Sequence, residues 1–387
     1  MVEARPSARF VVLDSWRGLC ALWVAAYHFR VIGHITDSQF VRAGDTAVDF
    51  FFVLSGFVLW HGFGGKLVDK TARVSFIIRR FGRLYPLHLA MLGFVVLLEL
   101  GRWSASMAVG HPIGSPAFTG DYSLWKLPAN VLLLHGLGLI ERFSWNVPSW
   151  SISVEFTLCF FFLLVAAFRR PMLAAGVAAA IGTGAVLFID NYLHHPFETS
   201  SALAQGASGF FLGILVHGLY QRTRHWRPNG FLEATAVAAI IGSAYLTRPF
   251  LTLAFAYAVY IFAFQSGAIS RILKWRRFVR HGDLSYSIYL IHYPMVLISF
   301  AAASLLGFAV KRGHAPFIDT GSVWTGDILM FLFLASVVAV SSLTYRWIEE
   351  PWRLHFNRVA SAWRRKVDEV DKPAAQASGV DARVARP

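Results

Sequence analysis

A few ionisable side chains interrupt stretches that are otherwise apolar, and their spacing points to proton transfer and anion binding. In LDSWRGLCALWVAAYHFR, Arg17 and His28 lie eleven residues apart. That is close to three helical turns, so both fall near one face, about 16 Å apart along the axis at 1.5 Å per residue. The next run, GDTAVDFFFVLSGFVLW, places Asp49 eleven residues after a loop centred near Ser38, with His28 ten residues before it. An antiparallel hairpin brings the two to similar depth. A carboxylate beside an imidazole fixes its tautomer and raises its basicity, as a general base requires; the same pair could equally lock two helices together. In SFIIRRFGRLYP, Arg80 and Arg83 are neighbours on a helical surface. Guanidinium forks bind phosphate oxygens bidentately, although a basic run at a membrane surface also serves as an anionic-lipid anchor. Glu155, in SWNVPSWSISVEFTLCFFF, is a candidate base, acceptor-orienting group or partner of Arg142. GDLSYSIYLIHYP sets His292 one turn from Tyr289 and two from Tyr286, for packing or for chemistry. Ser55, Asn146 and Ser151 are candidate oxyanion stabilisers, and the charges of YRWIEEPWR read as structural.

The elements that hold these residues follow from composition. The 387 residues are 56% hydrophobic and 15% charged, with 34 Phe and 13 Trp, against about 25% charge in soluble chains. A soluble core could not hide that surface, and disordered chains are poor in aromatics. The expected fold is an all-α integral membrane protein of about ten transmembrane helices. A crossing takes about 20 mostly apolar residues, and the runs near 12–33, 44–62, 84–101, 150–168, 171–189, 201–220, 230–247, 250–266, 284–308 and 324–345 qualify. Ionisable groups inside such helices cost about 2.5–3.5 kcal/mol each on insertion, so each marks a candidate site. The net charge of +14 would suggest nucleic acid in a soluble protein. Here, with both termini cytoplasmic, 28 of the 36 Lys and Arg fall in cytoplasmic segments, as the positive-inside rule requires, and no nucleic-acid partner is expected. Residues 124–140, short and interrupted by Pro128 and Asn130, read as an interfacial or re-entrant segment on the far side. Cys20 and Cys159 are too few for a disulfide framework or a Cys-based metal site, and no metal is expected. The chain divides into a cytoplasmic N-terminal segment (1–11, with no cleavable signal), a transmembrane domain (12–353) and a cytoplasmic, partly disordered tail (354–387).

The stretches LDSWRGLCALWVAAYHF, AVDFFFVLSGFVLW, RRFGRLYP, PSWSISVEF, LSYSIYLIHYP and YRWIEEP occur in one order between residue 13 and about 353. In these the chain resembles the acyltransferase 3 family of bacterial membrane proteins, which O-acylate cell-surface carbohydrates and some small molecules. The family's Arg, ten residues, His motif falls on Arg17 and His28, and its Arg-x-x-Arg motif on Arg80 and Arg83. The resemblance implies a multi-pass protein of the bacterial cytoplasmic (inner) membrane and an acyl-coenzyme A donor, acetyl-coenzyme A foremost. It implies a glycan or lipid-linked carbohydrate acceptor beside membrane lipids, and no permanently bound cofactor. Many relatives carry a C-terminal extracytoplasmic esterase-like domain that is missing from this sequence, and residues 102–149 match no family pattern.

His28, Asp49 and Glu155 are therefore the expected catalytic residues. Arg17, Arg80 and Arg83 are expected to hold the donor, and His292, Tyr286 and Ser55 form a possible additional site. Two other classes compete. A proton-coupled secondary transporter would use the buried His, Asp and Glu as a relay, but it commonly shows repeated halves, and none is visible. A non-catalytic lipid- or glycan-binding scaffold would not need a His at this depth.

Overall fold

The computed structural model describes residues 9–192, 199–245, 248–312 and 315–384, with side chains in the last segment described to residue 367. The expected segment 1–11 thus lies mostly outside the described residues, as does the end of the expected tail.

Helix α1 (Val11–His28) is enclosed by other helices, with eleven of its eighteen residues buried. It packs chiefly on α9 (Arg276–Leu305) and also on α2 (Ala47–Phe63), α8 (Arg248–Ala263) and α10 (Val323–Thr344). Protein rather than lipid surrounds Asp14, Arg17 and His28, which is how intramembrane ionisable groups are tolerated. The crossing with α9 is close because both helices present glycine there. A Cβ on Gly18 would lie 2.6 Å from the His281 carbonyl carbon, and one on Gly282 would lie 2.5 Å from Asp14 O.

The remaining helices are α3 (Lys70–Val109), α4 (Trp150–Ala167), α5 (Pro171–Tyr192), α6 (Ala202–Arg222), α7 (Gly230–Gly242) and α11 (Glu350–Val384). Among the described residues seven helices are long and apolar enough to cross a membrane: α2, α3, α4, α5, α6, α9 and α10. Helices α7 and α8 are apolar but shorter, and α1 is diluted by its charges. The protein is an all-α, multi-pass membrane protein, with one small hairpin of strands β1 (Ala309–Arg312) and β2 (Ala315–Ile318). That hairpin is tied to the residues after α1 by Ile32 N–H donating to Ile318 O at 2.9 Å and Ile318 N–H donating to Arg30 O at 2.9 Å.

Helix α3 is longer than its apolar run because the basic stretch before it continues the same helix. Asp69 caps its start by accepting from Ala72 N–H at 2.6 Å, and Gly110 ends it in the left-handed conformation at φ 76°. Forty residues make about 60 Å, twice the hydrocarbon thickness, so α3 links the two ends of the bundle. The end where α2 finishes and α3 begins carries Arg79, Arg80 and Arg83 and is called the basic end below. The opposite end carries residues 29–46, the 110–149 segment and the hairpin. Residues 124–140 form only a five-residue helix, Leu127–Val131, between turns. Pro128 fits its first turn, and nothing continues it into a crossing.

Candidate active site

At the basic end, α1, α2, α3, α4 and α9 enclose a cavity of about 130 Å³ lined by Arg17, Arg80, Arg83, Ser55, Glu155 and Tyr286, among others. Each arginine is held from a different side. Arg17 donates to Ser285 Oγ at 2.7 Å and Gly282 O at 3.0 Å and pairs with Asp14 at 3.2 Å. Arg80 is bonded to Glu155, which also accepts from Ser55 Oγ at 2.7 Å. Arg83 is bonded to Glu349 and lies 5.3 Å over the Tyr286 ring, whose hydroxyl donates to Leu84 O. Spacing explains the clustering, since residues three apart on α3 share a face.

Glu349 lies 2% exposed, in a stretch whose sequence suggested a charged interface. A π-helical turn, Tyr345–Glu349, joins α10 to α11. The wider turn rotates the residues after it relative to an α-helix, and such bulges occur frequently at functional sites. Glu349 thereby faces inward, accepting from Arg83 and from Ser287 Oγ at 2.7 Å.

Toward the opposite end a second cavity, about 240 Å³, is lined by His28, Asp49, Gln205, Phe143, Trp150 and Tyr289, among others. His28 closes α1. His292 Nδ1 lies 3.2 Å from Ile288 O, an interaction that needs the proton on Nδ1 and leaves Nε2 as an acceptor. His28 Nδ1 lies 3.0 Å from Val24 O and 3.2 Å from His292 Nε2, so the network assigns its proton to Nδ1 as well. The basic nitrogen of His28 is then Nε2, which has no protein hydrogen-bond partner among the described residues. Asp49 lines the same cavity, and Gln205 Nε2 donates to its Oδ1 at 2.9 Å.

Among the described residues only Tyr289 lines both cavities. It is 4% exposed, its hydroxyl donates to Pro148 O at 2.8 Å, and Ser151 Oγ lies 2.8 Å from the Tyr289 hydroxyl oxygen. The Phe51 ring meets its ring edge-on at 5.5 Å. One turn beyond, Pro294 has no N–H for the carbonyl of Leu290. Asn146 Nδ2 donates to that carbonyl at 3.1 Å and so fastens the loop before α4 to α9.

The structure thus sorts the sequence candidates into two groups. Arg17, Arg80, Arg83, Glu155, Ser55 and Tyr286 share the basic cavity, while His28 and Asp49 share the other, with His292 bonded to His28. Glu155 was grouped with His28 and Asp49 as a catalytic residue and considered as a partner of Arg142. It is instead bound to Arg80 in the other cavity, whereas Arg142 lies 3.9 Å from Asp121. The cause is direction: Glu155 projects from α4 toward α3, one and a half turns nearer the basic end than Trp150. The side chain that His28 bonds is His292, not Asp49, because α9 packs against α1 more closely than α2 does. Glu349 and Asp14 went unrecognised as arginine partners, although each is a carboxylate at the edge of an apolar run. Among the described residues no group of three His, Cys, Asp or Glu is placed to hold a metal ion.

Residues 10–346 match a family model described as an acyltransferase domain. The acyltransferase MdmB of Streptomyces mycarofaciens is 29% identical over 94% of this chain and 98% of its own length. Protein 2 in the picA locus of Rhizobium radiobacter is 40% identical over 39% of this chain and 78% of its own. The peptidoglycan O-acetyltransferase OatA of Listeria monocytogenes is 22% identical over 88% of this chain, which spans only 55% of the relative's length. No solved structure matches.

Proposed function

The chain belongs to the acyltransferase 3 family, and from that premise we propose that this membrane O-acyltransferase takes an acyl group from acyl-coenzyme A, acetyl above all, and passes it to a hydroxyl of a cell-surface or exported carbohydrate. The observation that carries the proposal is the pair of cavities meeting at Tyr289, one lined by three arginines and the other by His28. An anionic donor and a neutral hydroxyl acceptor, arriving from opposite sides, require that arrangement. A relay for protons alone would need neither the arginine lining nor a cavity at each end.

Ten crossings are assigned, the seven long apolar helices together with α1, α7 and α8, with both termini cytoplasmic and the basic end facing the cytoplasm. The positive-inside asymmetry supports that orientation. Single cysteines at Arg224 and Lys274 are then expected to react only after permeabilisation, and one at Lys311 to react in intact cells. Labelling of Arg224 from outside overturns the assignment.

The donor's charge confines its phosphates to the basic end. A cavity of about 130 Å³ is below the roughly 300–1,000 Å³ of small-molecule sites, so it suits the slender thiol-terminated arm and leaves the nucleotide outside. Arg80 and Arg83 sit where the mouth meets the phosphates, and Glu155 and Glu349 orient them. The donor supplies an activated thioester carbonyl. His28 Nε2 takes the acceptor hydroxyl's proton as the oxygen attacks that carbonyl. Collapse of the tetrahedral intermediate breaks the carbon–sulfur bond, and His28 returns the proton to the departing thiolate. Ester and free coenzyme A result. His292 positions the His28 ring, and Asp49 borders the acceptor's side of the cavity.

Purified protein given radiolabelled acetyl-coenzyme A and extracted surface glycan is expected to transfer label to the glycan. Absence of transfer together with absence of coenzyme A binding overturns the proposal. Arg80→Ala and Arg83→Ala are each expected to weaken coenzyme A binding about 10–150-fold, the worth of one charge-assisted bond, raising KM more than they lower kcat. Arg→Lys restores part of the affinity, keeping the charge without the fork. Unchanged affinity in the Ala variants would remove both arginines from the donor site.

A further inference from the structure

Beyond the mouth of the arginine cavity, the groove between α2 and α3 continues toward the basic end into a second recess of about 240 Å³. Positions 55, 58 and 59 of α2 line the first cavity and 62 and 63 the second; on α3, positions 80 and 83 line the first and 72, 75, 76 and 79 the second. These are continuous i, i+3, i+4 stripes, so the two openings lie along one track. Three cations line the recess, Lys66, Arg79 and Arg364, and none of its lining residues is acidic.

The three differ from the neighbouring arginines in how they are held. Arg80 and Arg83 each have a carboxylate partner. Arg79 instead donates to neutral acceptors on α11, Asn357 Oδ1 at 3.2 Å and Ser361 Oγ at 2.8 Å. Lys66 donates to Gly62 O at 2.9 Å. Among the described residues no ion pair neutralises Lys66, Arg79 or Arg364. Helix α11 lies along α3, so Arg364 closes the recess from outside. Like charges brought together without a counter-ion repel, and an anion relieves that repulsion.

We infer that Lys66, Arg79 and Arg364 form a phosphate subsite for the nucleotide end of the donor, taking the 3′-phosphomonoester of coenzyme A while its arm enters the arginine cavity. This rests on the acyl-coenzyme A proposal above and gives the C-terminal helix a part in donor recognition. The span agrees: Ala72 and Arg83, at the far edges of the two openings, are eleven residues apart on α3, about 16 Å, a distance for an extended arm rather than a compact ligand. The shared chemistry is a phosphate monoanion or dianion, which an anionic lipid headgroup at the same depth also offers.

The test compares coenzyme A with 3′-dephospho-coenzyme A, titrated against the full chain in nanodiscs of neutral lipid. Wild type is expected to prefer coenzyme A by about tenfold or more, the worth of a charge-assisted contact. Arg364→Gln and Lys66→Gln, which remove no hydrogen bond between helices, are expected to abolish most of that preference while leaving dephospho-coenzyme A binding unchanged. Arg79→Gln should do the same, with some loss of α11 docking. Equal binding of the two nucleotides by wild type overturns the subsite and leaves the donor proposal standing; binding of neither overturns both. If the preference persists in Arg364→Gln and Lys66→Gln while phosphatidylglycerol raises the Tm of wild type but not of these variants, the recess is a lipid headgroup seat and the inference fails.

Discussion

His28→Ala is expected to lower the transfer rate by about 10²–10⁴-fold, the usual worth of a positioned general base, while coenzyme A binding and Tm stay at wild-type values. The separation follows from the geometry, because His28 lines one cavity and the arginines line the other. Retention of more than a tenth of wild-type activity would take His28 out of the chemistry. His292→Ala is expected to cost less and to show a second signature. With the hydrogen bond between His292 Nε2 and His28 Nδ1 gone, the His28 tautomer is less strictly held and the pH–rate profile shifts. A purely structural His292 would lower Tm and leave the profile in place. Asp49→Asn should be milder than His28→Ala if Asp49 borders the acceptor and takes no proton.

Glu349→Ala is expected to produce the largest loss of stability. Glu349 is almost wholly enclosed and carries both Arg83 and Ser287. Removing one member of a buried ion pair costs about 3–5 kcal/mol, because the other charge remains without compensation. The loss should appear as a lowered Tm in detergent and a smaller folded fraction. The double variant Arg83→Met with Glu349→Leu should recover most of the stability, since apolar replacements of a buried pair are often neutral, yet it should not regain donor affinity. A single Glu349→Ala variant with unchanged Tm would show that water reaches the pair and that the carboxylate is not structural.

Most of the helices were legible because long apolar runs have one solution in a bilayer. Where α7 ends at Gly242, short of its apolar run, a poor helix former precedes a 3-10 turn, Ser243–Tyr245. Within the site, legibility stopped at contacts between distant helices. The depth argument put Asp49 and His28 at one level, and both line one cavity, but nothing in the spacing foretold that His292, 264 residues away, would hold the ring. Glu349 was hidden for a different reason. A sequence is read with an α-helical period, and a π-turn breaks that period at the residue that matters. Glu155 was recognised as a carboxylate facing the interior or a polar cavity, but its partner depended on which neighbouring helix it faced.

The meeting of two polar cavities at Tyr289 has a consequence for the cell's energetics. A continuous wet path across a bilayer would short-circuit the electrochemical gradient, at about 2.3 kcal/mol per charge for each 100 mV. Tyr289 stands where that path would form, with its hydroxyl fastened to Pro148 O and Ser151 and its ring edge against Phe51. On the proposed mechanism, an acyl arm passing from one cavity to the other has to displace this side chain, which must return behind it. Tyr289 is therefore expected to insulate the membrane between turnovers. Loss of the ring at this position would be felt first as an ion leak across an energised membrane, whether or not any acceptor were present.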